Sequence, residues 1–181
     1  VNYTQPMEYQ SDIISPFDLY SALFESANPN FGMYLNTGLF QILSISPENF
    51  FTKINHQISS FPIKGTRKRS SDAYEDVRLL DELKKSSKDR AEHLMIVDLI
   101  RNDLGKICKF GSVETKDLFK VHSFETIHHM ITEISGEIKK NITELNVFEA
   151  LFPGGSITGA PKESAMKIID QIEDYSRGIY T

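Results

Sequence analysis

"HSFETIHHMITEISGEIK", residues 122 to 139, alternates in the manner of a β-strand, so that successive side chains pass to opposite faces of a sheet. His128 and His129 are neighbours within it, point to opposite faces and cannot jointly chelate one metal. At most one of them lines a given site, and a packed or solvated histidine is the ordinary role for either alone.

Working outward from this strand, "KDRAEHLMIVDLIRNDLGK" (88 to 106) has the strongest helical pattern and predicts a helix closed by Gly105. A Ser-Ser-containing stretch separates it from residues 72 to 86, where Val77, Leu80 and Leu83 recur at spacing three and predict another helix. Further upstream, "SPENFFTKI" (46 to 54) opens like a helix or helical turn, with Ser46 as N-cap and Pro47 at the first position. "FGMYLNTGLFQILSIS" (31 to 46) sets two apolar runs around Asn36, Thr37 and Gly38, a hairpin signal in which the glycine supplies the positive φ. Downstream, "FPGGSITGAPKESAMKIIDQI" (152 to 172) is a glycine-rich turn feeding a helix near Pro161. Strands and helices interleave, often two strands to a helix, which predicts an α+β fold with helices covering a largely antiparallel sheet.

The 181 residues are 40% hydrophobic and 25% charged, an ordinary globular composition sized for one domain. A formal charge of −5 gives no basic excess for sequence-independent nucleic-acid binding, so anionic partners must meet local positive groups. The single cysteine, Cys108, excludes an internal disulfide and fits a reducing, cytoplasmic setting. No apolar run approaches a membrane span, and "VNYTQPMEYQ" lacks the features of a signal peptide. The start without methionine and the end on strand-like "SRGIYT" read as cuts inside a longer sequence.

Several residues carry possible chemistry. Lys64 in "FPIKGTRKRS" (61 to 70) has the ordinary reading of a solvated lysine, yet Ile63 and Gly65 beside it allow partial desolvation, which lowers an ammonium pKa and yields a nucleophile or base. Glu48 suits the first turn of a helix through the dipole alone. Glu92 shares a stripe with Met95, Ile96, Leu99 and Asp103, a carboxylate on a mostly apolar face that calls for a basic partner or a divalent metal. Asp98, Arg101, Asn102 and Asp103 read as a structural polar network. "GGSITGAPK" is not a nucleotide-triphosphate loop, because Gly159 is followed by Ala160 and Pro161 rather than by lysine and Ser/Thr. Its glycine turn still offers N–H groups to a carboxylate.

Together, "SPENF", "PIKGTR", "AEHLMIVDLIRNDLG", "FETIHHM", "LFPGGSITGAPK" and "RGIYT", in this order, resemble the chorismate-utilising enzymes across nearly all 181 residues. That family includes anthranilate synthase component I, isochorismate and salicylate synthases, and aminodeoxychorismate synthase component I. The resemblance implies two packed, mainly antiparallel β-sheets flanked by helices (α/β/β/α), with residues 1 to 181 forming part of one chorismate-binding catalytic domain. It also implies missing segments at both ends, among them a second magnesium-binding glutamate, a carboxylate-binding arginine and a glycine-rich carboxylate loop. Local departures are few: "GTRKRS" lacks the proline usual after "GTR", and Glu163 replaces an apolar residue.

Alanine is typical of anthranilate synthases where this chain has Lys64, whereas lysine resembles the aminodeoxychorismate synthases of para-aminobenzoate and folate biosynthesis. The resemblance implies that Lys64 attacks C2 of chorismate as the C4 hydroxyl leaves, and that ammonia then adds at C4 to give 4-amino-4-deoxychorismate. It assigns Glu48 as general acid/base, Glu92 as a Mg2+ ligand, Gly65, Thr66, His129 and Tyr180 as substrate contacts, and Ser156 and Thr158 as wall residues. His128 stays structural. Ammonia is expected from a glutamine amidotransferase subunit or domain, since Cys108 in "KICKFG" sits in no nucleophile motif. The alternatives are anthranilate synthase component I and a non-catalytic ligand-binding remnant of the fold. The isolated chain is expected to be nearly inactive, with neither nucleic acid nor membrane as a partner.

Overall fold

The structure, a computed structural model, describes residues 1 to 10 and 12 to 180 and divides into two compact units. The smaller, Gln5–Asn49, contains helix α1 (Pro16–Ala27) and the antiparallel pair β1 (Phe31–Asn36) and β2 (Gln41–Ser46). Ser15 caps α1 by accepting the Asp18 N–H, and Pro16 enters at the first turn, where its missing N–H costs nothing. Phe17 packs edge-on against Tyr34 of β1, with ring centroids 5.2 Å apart. The expected hairpin is present, and Gly38 takes φ +83° at its tip.

The helix expected to open at Ser46 does not form. Ser46 ends β2, and its hydroxyl accepts the Glu48 N–H at 3.3 Å and donates to the Glu48 carbonyl at 2.9 Å. This local side-chain turn satisfies the backbone in place of a helix. Within the larger unit, Val1–Thr4 and Phe50–Thr181, the following residues then enter a strand, β3 (Thr52–Ile54).

The larger unit is built on one sheet of five antiparallel strands. Its central strand is β7 (Ile127–Glu137); β4 (Gln57–Ser60) and β5 (Ile63–Lys68) pair successive parts of one edge, β6 (Glu114–Ser123) pairs the other, and β3 lies outside β4. The stretch 122 to 139 is therefore more than one strand. Its first two residues end β6, a turn follows in which the Phe124 N–H donates to the Ile127 carbonyl, and the strict alternation belongs to β7. His128, Met130, Thr132, Ile134 and Gly136 are buried, while the residues between them are half-exposed.

Helices α2 (Ala73–Lys85) and α3 (Ser87–Ile107) follow β5. Asp72 caps α2 through the Glu75 N–H, and Ser86 both terminates α2 and caps α3 through the Asp89 N–H, each cap contributing ~1 kcal/mol. Gly105 does not close α3. The helix runs on to Ile107, and the Cys108 N–H makes its last bond, to Leu104. A glycine before a helix end is a stop signal only where the chain needs a left-handed turn, and here it needs none. Val97, Leu104 and Ile107 of α3, Ile58 of β4, Ile134 of β7 and Val147 and Leu151 of α4 (Glu144–Leu151) form the core, each contributing ~1.5–3 kcal/mol by burial. The glycine-rich segment becomes a single helical turn, α5 (Gly155–Thr158), followed by α6 (Lys162–Ile172) beginning just after Pro161. The terminal "SRGIYT" makes a turn, the Tyr180 N–H donating to the Arg177 carbonyl, where strand residues were expected; Thr181 lies outside the described residues.

Candidate functional site

β5 is irregular at the residues singled out by sequence. Ile63 pairs with Ile131 and Thr66 with His129, so two β5 residues, Lys64 and Gly65, stand opposite the single Met130. This is a β-bulge, and Gly65 carries it at φ +83°, a left-handed conformation that glycine adopts without a Cβ clash. A Cβ on Gly65 would lie 2.9 Å from Leu83 Cδ1 and 3.1 Å from Asp89 Cβ, so the bulge presses against both α2 and α3. Arg67, two residues on, braces the same junction by donating to Glu82 at 2.8 Å and Asp89 at 3.0 Å. These carboxylates hold the Arg67 guanidinium pKa above its ordinary value, Glu82 contributing most.

The bulge and its β7 partner carry four predicted residues, Lys64, Gly65, Thr66 and His129. His129 Nδ1 lies 2.9 Å from the Thr66 hydroxyl, and the Gly65 backbone stands close enough to the ring to favour its charged form. Burial pulls the His129 pKa below its usual value against the opposing effect of that backbone, favouring a neutral imidazole. Phe124 backs the ring edge-on at 5.9 Å. Lys64 is half-buried, and its charge reaches His93 on α3. His93, next to Glu92 in sequence, is fully buried; desolvation and then Lys64 bring its pKa down to about 4. Sequence reading passed over His93, although the α3 periodicity that placed Ile96 inward also places His93 inward, three residues earlier.

Glu92 itself departs from expectation. Its side chain is 50% exposed, and Lys88 one turn earlier comes no closer than 3.9 Å. Met95 on the same stripe is 46% exposed while Ile96 and Asp103 are buried, so Glu92 stands at the solvent edge of the buried face of α3. As a hard oxygen donor open to solvent, Glu92 fits a single position around a divalent cation. Among the described residues no three His, Cys, Asp or Glu side chains are grouped to hold a metal.

Ser156, Thr158 and Tyr180 belong to a second cluster organised by residues that the sequence did not flag. Asn2 donates to the carbonyls of Ser156 and Thr158, Arg177 donates to those of Ile157 and Asn2, and the Arg177 carbonyl receives the Tyr180 N–H. The Thr158 hydroxyl is turned back to the Gly154 carbonyl at 3.1 Å, while Tyr180 is exposed. Arg177 is locked by Glu173, which also accepts the Thr4 N–H; this holds the Glu173 pKa down at about 2, Arg177 being the main cause. Thr158, Met166, Ile169, Glu173 and Arg177 line a groove of about 730 Å³. Gly155 lets α5 approach α3, since a Cβ there would lie 1.9 Å from Leu99 Cδ2.

Glu48 lies in the smaller unit, half-buried in the Ser46 turn. Of the polar group late in α3, Arg101 pairs with Asp98, while the buried Asp103 holds Lys106 and Lys162 at 2.6 Å each. The latter pair ties α6 to α3. His128 is buried, with Ser123 on one ring nitrogen and Asp76 on the other.

The profile of the chorismate-binding enzymes matches residues 1 to 181, the whole chain. The chain belongs to that family. Chorismate-binding relatives with two activities resemble it. The Bacillus subtilis aminodeoxychorismate synthase component 1 is 38% identical over 172 residues, covering 95% of this chain and 37% of the relative. The Saccharolobus solfataricus anthranilate synthase component 1 is 43% identical over 154 residues, 84% of this chain and 37% of the relative. Among solved structures, anthranilate synthase component I from Streptococcus pneumoniae superposes with a TM-score of 0.80 at 32% identity, over 92% of this chain and 36% of that one. The chain thus spans 37% of the length of each of these two curated relatives. The mixed α+β architecture with antiparallel sheets agrees with that superposition. No helix among the described residues is long and apolar enough to cross a membrane.

Proposed function

We propose that this chain carries the chorismate-binding and amine-transfer chemistry of an aminodeoxychorismate synthase, the amination of chorismate to 4-amino-4-deoxychorismate in para-aminobenzoate and folate biosynthesis. The observation that carries the reading is Lys64 in a glycine-supported bulge beside Thr66 and His129, because a bulge re-aims a side chain that a regular strand would fix. In the first step the neutral Lys64 amine attacks C2 while the bond from C4 to the hydroxyl breaks. Glu48 gives the departing oxygen its proton, so that water leaves, and recovers one from the new secondary ammonium. Ammonia then bonds to C4, the bond from C2 to nitrogen breaks, and the proton shed by the new C4 ammonium passes to the departing nitrogen, so that Lys64 returns to its free amine. Gly65, Thr66 and His129 orient the ring, and Ser156, Thr158 and Tyr180 contribute the wall.

Glu92 would supply one carboxylate to hold a magnesium ion. When bound, that ion offsets the negative charge of the substrate. Ammonia would come from a glutamine amidotransferase subunit or domain. Cys108, the single cysteine, is buried with its thiol pushed up to about 11, which supports an ammonia source elsewhere. We place the reaction in the cytoplasm.

The test is mass spectrometry of the full-length enzyme incubated with chorismate and no ammonia. An adduct of chorismate less one water is expected on Lys64 and is expected to vanish in Lys64→Ala. An adduct on another lysine, such as Lys68 or Lys162, or no adduct under any trapping condition, refutes the mechanism. Anthranilate synthase is the second reading, favoured by the 43% identity to the Saccharolobus enzyme, and formation of 2-aminobenzoate would select it.

A further inference from the structure

On the sheet face opposite His129, three side chains from three elements meet in a line. Alternation along β7 sends His128 to that face, where the ring is buried. Register places Ser123, the last residue of β6, directly across from it, and the Ser123 Oγ lies 2.8 Å from His128 Nδ1. From α2, Asp76 Oδ1 lies 3.2 Å from His128 Nε2. Ser123 itself is exposed, so the line runs from a carboxylate through a buried imidazole to a hydroxyl open to solvent.

Counting protons fixes the role of each group. Arg69 Nε donates to the two Asp76 oxygens at 2.9 and 3.0 Å, and the Ser70 N–H donates to Oδ1 at 2.9 Å. Arg69 foremost, then the Ser70 N–H, hold the Asp76 carboxyl well below the usual carboxylate range, so Asp76 is ionised and only accepts. Nε2 must therefore be the donor toward Asp76. A neutral imidazole carries one proton, which leaves Nδ1 bare, and the Ser123 hydroxyl donates to it. Arg69 also fixes the turn that follows Ser123, donating from its guanidinium to the Phe124 carbonyl at 2.7 Å and from its N–H to the Thr126 carbonyl at 2.9 Å.

A packing role asks only that the nitrogens of a buried ring meet partners. Here the hydroxyl proton already rests on a basic nitrogen, and a fixed carboxylate is placed to stabilise the imidazolium that forms when the proton is taken. We propose that Ser123 is a nucleophilic serine that accepts acyl groups from activated esters, with His128 as its general base and Asp76 as the group that orients that base. The ring nitrogens exchange places relative to the serine proteases, which leaves the path of the proton unchanged. Oγ bonds to the acyl carbon as its proton passes to His128 Nδ1. The bond from that carbon to the alkoxide or phenolate then breaks, the leaving oxygen takes the proton from His128, and an acyl-serine remains. His129 lies on the opposite face, so this site and the chorismate reading stand or fall separately.

The probes are an alkyl fluorophosphonate, which phosphonylates activated serines with loss of fluoride, and p-nitrophenyl acetate. Each is incubated with the full-length protein at pH 8, and the modified residues are mapped by mass spectrometry. Both reagents are expected to modify Ser123 about a hundredfold faster than exposed Ser71, the lower range of what a general base supplies. Equal rates at the two serines overturn the inference, and phosphonylation without acetylation overturns the acyl class. In His128→Gln the amide can still accept from Ser123 and donate to Asp76, but it cannot take up a proton. That variant is expected to lose the hundredfold advantage, and an unchanged rate removes His128 as the base. Where it does not fold, nitrogen NMR of the wild-type ring decides: a neutral ring with its proton on Nε2 is expected, and a neutral ring with its proton on Nδ1 refutes the proposal.

Discussion

The same substitution, glycine to alanine, is expected to have opposite signs at Gly65 and Gly105. At Gly65 the backbone stands at φ +83°, where an L side chain costs ~1–2 kcal/mol. The new Cβ would also lie 2.9 Å from Leu83 Cδ1 and 3.1 Å from Asp89 Cβ. Leu83 is fully buried, and Asp89 is held by Arg67 and by its own N–H bond to Ser86, so neither yields freely. Overpacking of this kind costs ~1–3 kcal/mol, for a total of ~2–5 kcal/mol, a large part of the ~5–15 kcal/mol stability of a typical domain. At Gly105 the backbone is helical and the Cβ position faces open space, so alanine gains ~1 kcal/mol from helix propensity. Urea unfolding with linear extrapolation measures both, and unchanged m-values would show that the native state, not the denatured one, is affected. Loss of less than ~1 kcal/mol at Gly65, below the minimum worked above, would refute the bulge argument. So would destabilisation at Gly105, which would mean that α3 ends at the glycine after all.

Lys162→Met removes one of the two cations from buried Asp103, and because Lys106 remains, the loss should sit near the lower end, ~3 kcal/mol, of what breaking a buried pair costs; an unchanged urea midpoint would contradict it. Arg177 holds the Glu173 carboxyl at about 2, below its unfolded value of 4.5, so this pair's contribution is fully present above pH 4.5 and is lost as pH falls toward 2. Arg177→Met should flatten the pH dependence of the melting temperature in that window, and an unaltered profile would show that the pair is not coupled to folding. Cys108, buried and raised to about 11, should react with iodoacetamide at pH 8 only as fast as the protein unfolds; rapid labelling of the native protein would place the thiol at the surface.

Some of this molecule was legible from the chain alone because the physics involved is local. The alternation of 127 to 137, the caps at Asp72 and Ser86 and the glycine at the 36 to 41 hairpin each depend on residues within a few positions. The order of the motifs identified the family for a related reason, since each motif is a short run whose side chains must keep fixed spacing. Local signals also misled where a competitor was equally local. Ser46 and Pro47 look like a helix start, yet the serine hydroxyl closes a turn on Glu48; Gly105 looks like a stop, yet helical φ suits glycine as well. Only the tertiary structure decided the rest. That Lys64 sits in a bulge follows from how β5 registers on β7, with Thr66 meeting His129 across 63 positions of sequence. That His93 is buried and meets Thr132, 39 positions away, depends on how α3 lies on β7. The second cluster needs Asn2 to reach Ser156 and Arg177 to reach Asn2. Pairings of this kind are set by strand register and by which buried groups must share a proton, and neither leaves a periodic mark on the chain.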